Sequence, residues 1–464
     1  MPTRYFLALD QGGHASRAIV FDEAGRVVAR AERRVVPRVP APGRLEYDAE
    51  ALFRSVHEVA REALANAPGR VEAAALATQR SNVACWDRKT GRPLGPVLGW
   101  QDRRGAAYLK ALRALSGEVH ARTGLFLSPH YGATKLRWCL EHLPAVRSAF
   151  EAGRLAYGPM AAWIVGRLTG RFEGLADLAN AQRTQLLNLD RLDWDPWLLE
   201  HFGVPGKPLP RAVPNRYEYG EAFGVPLRVV TGDQQAALFA YGEPAEDWAY
   251  ANAGTGAFVL RPTPTRVAAP RLLAGLLYAD GAPRYLLEGT VNGAGAALRF
   301  FAEREGIPEE ALLARLPGWL KAMPASPLVF LNGVGGLGSP YWVPDFESRF
   351  LGEGTLAERA VAVVESIVFL LVRNLEAMAA QLPPPRAIRL TGGLSRLDGF
   401  AKRLADLSGI PVHRPAAFEA TARGLAFLAG GKGLDGVPEA RFVPRENPAL
   451  LEAYRRFLAA MPQS

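Results

Sequence analysis

Two strand–turn–strand patterns, one in each half of the chain, constrain the fold more than any other feature of the sequence. In the first, Asp10-Gln11-Gly12-Gly13-His14 separates two short apolar runs, and in the second Ala253-Gly254-Thr255-Gly256 does the same. A glycine-containing turn between two such runs is typical of a β-hairpin. The repetition predicts two similar halves, each with a turn whose backbone N–H groups can approach a phosphate.

A third segment, residues 228–240, predicts a strand that passes through Thr231-Gly232 directly into a helix. Asp233 then lies at the carboxyl end of a strand, where open α/β sheets bind their ligands. The residues alone leave two roles for this carboxylate. It is either a helix N-cap that accepts backbone N–H bonds, or a general base that faces a cleft.

Helical and strand patterns alternate along the rest of the chain, which indicates an α/β fold. Helices are expected over residues 48–65, 158–169 and 356–379, and the polar connector Glu243–Asp247 separates the two halves. A chain of 464 residues is long enough for two large domains. We expect domains of residues 1–242 and 243–464.

Polar residues at two predicted strand ends suggest a pocket for a polyol. Arg80 follows one strand, and Trp100 with Gln101 and Asp102 follows another. A tryptophan ring packs on C–H groups, while arginine, amide and carboxylate groups pair with hydroxyls. The alternative is that Trp100 belongs to the core and the polar residues cap a helix. His130, in a loop, is either a substrate contact or a surface residue.

The first predicted hairpin turn has two possible roles as well. Asp10 suits a residue that holds Mg²⁺ through water, and Arg17 suits a contact that neutralises phosphate charge. An ordinary hairpin with a turn aspartate explains the same residues.

Composition excludes several other classes of function. The net charge is +9, but the basic residues are scattered, so nucleic-acid binding is not expected. We expect no signal sequence, because the N-terminal apolar run is too short, and no segment has an apolar run of membrane-spanning length. Neither of the two cysteines belongs to a CxxC pair, so we expect no zinc site and a reducing cytoplasmic location.

These segments, taken in order, resemble the FGGY family of carbohydrate kinases, and within it the glycerol kinases most. The resemblance runs nearly end to end and is carried by Leu9-Asp10-Gln11-Gly12, Thr78-Gln79-Arg80, Trp100-Gln101, Thr134-Lys135 with Trp138, Leu192-Asp193-Trp194-Asp195, Gly232-Asp233-Gln234-Gln235-Ala236-Ala237-Leu238-Phe239, Gly254-Thr255-Gly256, Gly335-Gly336-Leu337-Gly338-Ser339-Pro340-Tyr341-Trp342 and Glu365-Ser366-Ile367.

The resemblance implies two ribonuclease-H-like, actin-like ATPase domains that close a cleft over ATP·Mg²⁺ and a polyol or sugar. It implies that Asp233 is the general base and that Asp10 holds Mg²⁺ through water. The implied acceptor-binding residues are Arg80, Ser81, Trp100, His130, Asp233 and Gln234. The implied nucleotide-binding residues are Gly12, Gly13, His14, Arg17, Gly254, Thr255, Gly256, Gly295, Arg299, Gly392 and Gly393. Relatives often form homodimers or homotetramers, and the sequence does not decide between these states.

Four departures from the glycerol kinase pattern fall at implied binding residues, and those at Ser81 and His130 bear on the acceptor. Ser81 replaces a glutamate, His130 a tyrosine, Gly13-His14 a Thr-Thr pair and Arg299 a glutamine. A missing partner in a buried polar pocket costs roughly 1–3 kcal/mol, or about one to two factors of ten in binding. We therefore expect glycerol to be a poor substrate and a longer polyol or a ketose to replace it. Phosphorylation of glycerol itself, an actin- or chaperone-like ATPase and a kinase that has lost its activity are the alternatives.

Overall fold

The computed structural model describes residues 3–416, 419–432 and 438–463, which form a mixed α/β structure. Its strands are β1 (Tyr5–Gln11), β2 (Ala15–Asp22), β3 (Val27–Arg34), β4 (Glu46–Tyr47), β5 (Val71–Thr78), β6 (Val83–Asp87), β7 (Val97–Leu98), β8 (Leu155–Pro159), β9 (Leu175–Asp177), β10 (Leu187–Asn188), β11 (Asp193–Trp194), β12 (Arg211–Val213), β13 (Arg216–Ala222), β14 (Val225–Gly232), β15 (Trp248–Ala253), β16 (Ala257–Thr263), β17 (Leu273–Asp280), β18 (Ala282–Val291), β19 (Val329–Leu331), β20 (Arg349–Leu351), β21 (Ala387–Thr391), β22 (Val412–Pro415) and β23 (Glu439–Phe442).

The α-helices are α1 (Ala49–Ala65), α2 (Ser116–Thr123), α3 (Gly132–His142), α4 (Pro144–Glu151), α5 (Met160–Thr169), α6 (Leu178–Gln182), α7 (Pro196–Phe202), α8 (Asp233–Leu238), α9 (Gly295–Glu305), α10 (Glu309–Ala322), α11 (Leu356–Ala379), α12 (Asp398–Ser408), α13 (Ala420–Ala429) and α14 (Pro448–Ala460). Short 3₁₀ helices occupy Ala106–Leu115, Phe239–Tyr241 and Gly393–Arg396.

The described residues divide into two compact units. The first contains residues 3–244, 275–285 and 419–432, and the second contains 245–274, 286–416 and 438–463. Each unit is therefore assembled from more than one stretch of the chain.

The first unit is built on a six-stranded sheet in the order β13-β14-β5-β1-β2-β3. Strand β1 pairs antiparallel with β2 and parallel with β5, which pairs parallel with β14. Helix α1 is amphipathic: Asp48 caps its first turn by accepting the Ala51 N–H, and its Leu52, Val56 and Val59 are buried.

The second large sheet repeats this arrangement around β15. It has the order β17-β18-β16-β15-β21-β22-β23, in which β15 pairs antiparallel with β16 and parallel with β21, and β21 pairs parallel with β22. The pattern β16-β15-β21-β22 thus matches β2-β1-β5-β14 of the first sheet. Both strand–turn–strand segments form hairpins, and the parallel strand pairs with intervening helices confirm the predicted α/β fold.

One predicted helix begins later than the sequence suggested. Residues 158–169 were expected to be helical, but Leu155–Pro159 is a strand that pairs antiparallel with β6, and the helix starts at Met160. Within the parts of the chain that the structure describes, no helix is long and apolar enough to cross a membrane.

Candidate active site

Three parallel strands of the first sheet end level with one another. In the register, Asp10 of β1 lies beside Ala77 of β5, and Gly232 of β14 lies beside Thr78. The residues that follow these ends therefore gather at one edge of the sheet. They include the acid Asp233 and, two residues beyond β5, Arg80.

Asp233 is the first residue of α8, and the preceding Gly232 occupies the cap position. The interpretation of Asp233 as the N-cap is therefore wrong by one residue, although its Oδ1 accepts the Gln234 N–H at 2.8 Å. The side chain is partly exposed. Burial by the surrounding protein raises its pKa above the usual value, while Arg80, the Gln234 N–H and Arg183 oppose the shift.

Helix α13 packs closely against the helix that begins with Asp233. A Cβ on Gly424 would lie 1.7 Å from the carbonyl oxygen of Ala236, so only glycine permits this approach. The Thr421 hydroxyl donates to the backbone carbonyl of Asp233 at 3.4 Å. Both contacts fix the backbone that carries the acid.

Asp10 is the second acid of this edge. Its side chain is 13% exposed, and its Oδ2 lies 3.8 Å from Nη1 of Arg17, which also donates to Glu32 at 3.2 Å. Burial and the like charge of Asp233 raise the pKa of Asp10 to about 7, against the opposing effect of Arg17. Two carboxylates that repel each other at a partly buried edge provide an electrostatic site for a cation.

The donor set around Asp10 suits Mg²⁺ better than a metal enclosed by protein ligands. Across the described residues, no three His, Cys, Asp or Glu side chains gather closely enough to hold a metal ion. Mg²⁺ usually keeps several waters and needs only one or two carboxylates together with substrate phosphates. The residues present therefore fit Mg²⁺ held largely by water and phosphate.

Arg80 and Gln234, both predicted as acceptor-binding residues, contact each other in the structure. Arg80 is 9% exposed, and its Nη2 donates to Oε1 of Gln234. The Arg80 side chain crosses directly over Gly232, where a Cβ would lie 2.7 Å from its Cγ. Glycine at that position therefore allows Arg80 to reach the edge where Asp233 lies.

Trp100 and His130 form a second pair. Trp100 is 43% exposed, so the alternative that it belongs to the core is wrong. His130 Nδ1 lies 3.1 Å from the Trp100 carbonyl oxygen, and the two rings are 6.1 Å apart. Burial lowers the pKa of His130, with Lys135 and Arg103 acting in the same direction. A neutral ring that donates through Nδ1 keeps Nε2 as a hydrogen-bond acceptor.

Ser81, the residue after Arg80, has a left-handed backbone conformation with φ 66°. Non-glycine residues adopt this conformation at a cost of about 1–3 kcal/mol and often do so at functional sites. Ser81 is partly buried.

Asp102 does not belong to the site, which corrects the interpretation that it pairs with acceptor hydroxyls. The side chain is fully buried, and its oxygens accept from the Arg104 side chain and backbone N–H and from the Leu45 N–H, all at 2.7–3.0 Å. Although burial acts to raise it, the pKa of Asp102 is lowered by these donors. Asp102 therefore has a structural role.

Two cations near the site were not assigned from the sequence. Arg183 is buried and lies close enough to lower the pKa of Asp233. Lys135 is fully buried and donates to three backbone carbonyls. Its presence in the Thr134-Lys135 motif was the only available signal, and Arg183 carried none.

The first hairpin turn is tight. The Gly12 N–H donates to the Ala15 carbonyl at 2.9 Å, and a Cβ on Gly13 would lie 3.3 Å from Oε1 of Gln79. His14 is exposed at the tip of the turn, and its backbone carbonyl accepts the Val35 N–H.

The predicted nucleotide residues of the second unit come together at one edge of its own sheet. The Gly295 N–H donates to the Gly254 carbonyl at 2.8 Å, and the Ala296 N–H donates to the Thr255 carbonyl at 3.0 Å. A Cβ on Gly256 would lie 3.1 Å from the Val291 carbonyl.

The end of β21 reaches the same turn. Gly392 has φ 92°, and a Cβ there would lie 2.5 Å from the Ala253 carbonyl, so glycine is required. Gly393 opens a 3₁₀ helix and faces open space. Arg299 is 56% exposed and pairs with Glu309 at 3.2 Å.

Comparison with known proteins extends over both units. The N-terminal domain of the FGGY family of carbohydrate kinases matches residues 5–240, and its C-terminal domain matches residues 249–431. The chain belongs to the FGGY family of carbohydrate kinases. It is 35% identical to a protein named glycerol kinase from Acidovorax ebreus (strain TPSY), over 99% of this chain and 96% of the relative.

Solved structures of FGGY kinases share the fold. A glycerol kinase from Plasmodium falciparum with ADP superimposes with a TM-score of 0.89 at 20% identity, over 98% of this chain and 97% of that one. A xylulose kinase from Rhodospirillum rubrum gives a TM-score of 0.87 at 22% identity, over 98% of each chain. As an FGGY kinase, the protein uses ATP to phosphorylate a hydroxyl of a polyol or sugar. This confirms the family and the reaction class predicted from the sequence.

Proposed function

We propose that Asp233 is the general base, which removes the proton from the acceptor hydroxyl that attacks the γ-phosphate of ATP. The observation that carries the proposal is the position of this carboxylate: partly exposed, at the ends of three parallel strands, on the same edge as Arg80. Phosphoryl transfer needs an oriented acceptor and charge neutralisation more than covalent chemistry. A carboxylate with a raised pKa holds the transferred proton better than an ordinary one.

The acceptor is proposed to lie against Arg80, Gln234, Ser81, Trp100 and His130. The exposed indole of Trp100 offers a flat apolar surface for C–H groups, and Arg80 offers N–H donors to hydroxyl oxygens. Neutral His130 offers Nε2 as an acceptor for a hydroxyl proton.

The phosphates of ATP are proposed to bind at the glycine turns. In the first unit these are Gly12, Gly13 and His14, with Arg17 as a cationic partner. In the second unit they are Gly254, Thr255 and Gly256, while Gly295, Arg299, Gly392 and Gly393 are proposed to contact the rest of the nucleotide. Asp10 is proposed to hold the accompanying Mg²⁺ through water. When bound, Mg²⁺ neutralises phosphate charge during transfer.

The acceptor is proposed to be a polyol longer than glycerol, or a ketose. Ser81 carries no charge and has a short side chain, so it cannot accept from two hydroxyls as a glutamate does. Replacing a long residue by serine also leaves more room for additional carbon atoms. Glycerol is the second candidate, favoured by the similarity to a named glycerol kinase over nearly the whole chain.

A panel of acceptors assayed by ADP release tests these proposals. Glycerol, four- and five-carbon polyols, and five- and six-carbon ketoses are compared by kcat/KM at fixed MgATP. The proposal predicts the highest kcat/KM for a polyol of four or more carbons or for a ketose. A wide margin in favour of glycerol would contradict it. ADP release that does not depend on any acceptor would instead indicate an ATPase that transfers phosphate only to water.

A further inference from the structure

Lys135 is a charged side chain inside the first unit that the proposed chemistry does not use. It is the fourth residue of α3 (Gly132–His142) and is 0% exposed. Lysine is almost never fully buried unless its ammonium is paired.

The Lys135 ammonium is bonded to three backbone carbonyls. Nζ lies 3.1 Å from the Ser81 oxygen, 2.7 Å from the Gly99 oxygen and 2.7 Å from the His130 oxygen. An ammonium group has three N–H donors and no acceptor, so these three oxygens use it completely. The geometry is therefore that of the protonated side chain.

Each carbonyl belongs to a different segment, and each segment carries a proposed acceptor-binding residue. Ser81 and its neighbour Arg80 follow β5, Gly99 precedes Trp100, and His130 lies in the loop before α3. A further bond joins two of these segments, because His130 Nδ1 donates to the Trp100 carbonyl. Lys135 is the point at which all three segments are held together.

The surroundings of Lys135 have opposing effects on its charged form. Burial lowers the pKa of Lys135 to about 7. Asp102 acts in the opposite direction, but Arg104, which pairs with Asp102, reduces that effect. Hydrogen bonds to three carbonyl oxygens also favour the protonated form. An apolar residue here would leave three carbonyls without this donor.

We propose that Lys135 is a positioning residue for the acceptor pocket, and that its ammonium sets the relative placement of Arg80–Ser81, Trp100 and His130. This inference rests on the proposed function, since it treats those residues as the acceptor site. Lys135 acts through their backbone and does not touch the acceptor.

The test compares Lys135→Met with Leu136→Ala. Met keeps the length of the side chain and removes its donors. Leu136 is the next residue of α3 and is also fully buried, so its truncation weakens the same helix without removing a bond to the three carbonyls. Lys135→Gln, whose amide keeps two donors, is the second variant.

Kinetics provide the first readout. Lys135→Met is expected to raise the acceptor KM by about ten-fold or more, equivalent to about 1.4 kcal/mol, with the KM for ATP nearly unchanged. Lys135→Gln is expected to fall between Lys135→Met and wild type. Leu136→Ala is expected to lower thermal stability without a selective change in acceptor KM. An unchanged acceptor KM in a folded Lys135 variant, or equal changes for acceptor and ATP, would overturn the inference.

Hydrogen exchange provides a readout that needs no turnover. Removing the ammonium is expected to speed amide exchange in three separate segments, residues 79–82, 98–101 and 128–131, more than Leu136→Ala does. Equal increases in both variants would reduce Lys135 to a purely structural role and overturn the inference. Failure of the proposed function would appear differently, as wild-type protein that phosphorylates no polyol or ketose.

Discussion

Replacing Asp10 by asparagine is expected to have two effects. It should stabilise the nucleotide-free protein, and it should impair phosphoryl transfer. Burial and the charge of Asp233 raise the pKa of Asp10 from 3.8 to about 7, a shift of about 3 units. One pKa unit corresponds to about 1.4 kcal/mol, so the ionised carboxylate costs the folded protein up to about 4 kcal/mol above pH 7.

The sign of this effect follows from linkage. The folded pKa lies above the unfolded value, so the stability contributed by protonated Asp10 is complete below about pH 3.8. It is lost as the pH rises through about 7. Asparagine does not titrate, so the Asp10→Asn variant keeps its stability over the same window.

Thermal denaturation between pH 4.5 and 8.5 measures the difference. The melting temperature of Asp10→Asn relative to wild type is expected to rise with pH and level off above about pH 7.5. Because 1 kcal/mol shifts a domain of this size by about 2–4 °C, and the buried amide has its own cost, the final difference is on the order of 5–10 °C. Glu246→Gln, at an exposed acid, is the control and should show no such trend.

Addition of MgATP should reverse the difference in stability between wild type and Asp10→Asn. A cation relieves the repulsion between Asp10 and Asp233 in wild type, so MgATP is expected to stabilise wild type more than Asp10→Asn. A stability difference that does not change with pH would refute the argument that Asp10 is buried against a like charge.

Three further predictions concern the acceptor site. The double variant Ser81→Glu with His130→Tyr is expected to raise kcat/KM for glycerol about ten-fold or more; no gain would show that these positions do not select the acceptor. Because the pKa of Asp233 is raised and the base must be ionised, kcat should fall with decreasing pH at a midpoint above the usual carboxylate value of 3.8, and Arg80→Met should move that midpoint higher still. Gly232→Ala is expected to lower acceptor affinity by forcing Arg80 aside, with ATP affinity retained; ordinary acceptor kinetics would contradict the close contact found there.

The sequence predicted those parts of the fold that local patterns determine. The helix Leu356–Ala379 was expected with the same bounds, since it is strongly apolar and begins with a Thr355–Glu358 capping box. Asp48 was expected at the start of a helix, and it caps α1. The two hairpins were visible because each combines a glycine turn with short apolar runs.

Tertiary context decided the parts that were missed. The last two residues of β8, Gly158 and Pro159, were assigned to the helix that follows them, but they belong to a strand that pairs with β6. Helix α10 contains Pro317, which argues against a helix on local grounds. Residues 275–285 and 419–432 join the first unit through contacts far apart in sequence, which no local pattern reveals.

The candidate site likewise combines residues that local patterns predicted with residues whose role depends on tertiary contacts. Asp233 and Arg80 were predicted because a strand end followed by a polar residue is recognisable in sequence, whereas Gln234 was implied only by the family resemblance. Lys135 and Asp102 were not assigned correctly, since the burial of each depends on partners from distant segments. A lysine in a helix is normally exposed to solvent. An aspartate that follows a strand is normally a candidate ligand-binding residue.

Turnover of Asp233→Asn with the best acceptor of the panel tests the central claim most directly. The account predicts that kcat falls by about 10²–10⁴-fold, the usual contribution of a general base, while ATP binds with nearly unchanged affinity. Turnover close to wild type would show that the carboxylate at the end of β14 does not take the proton.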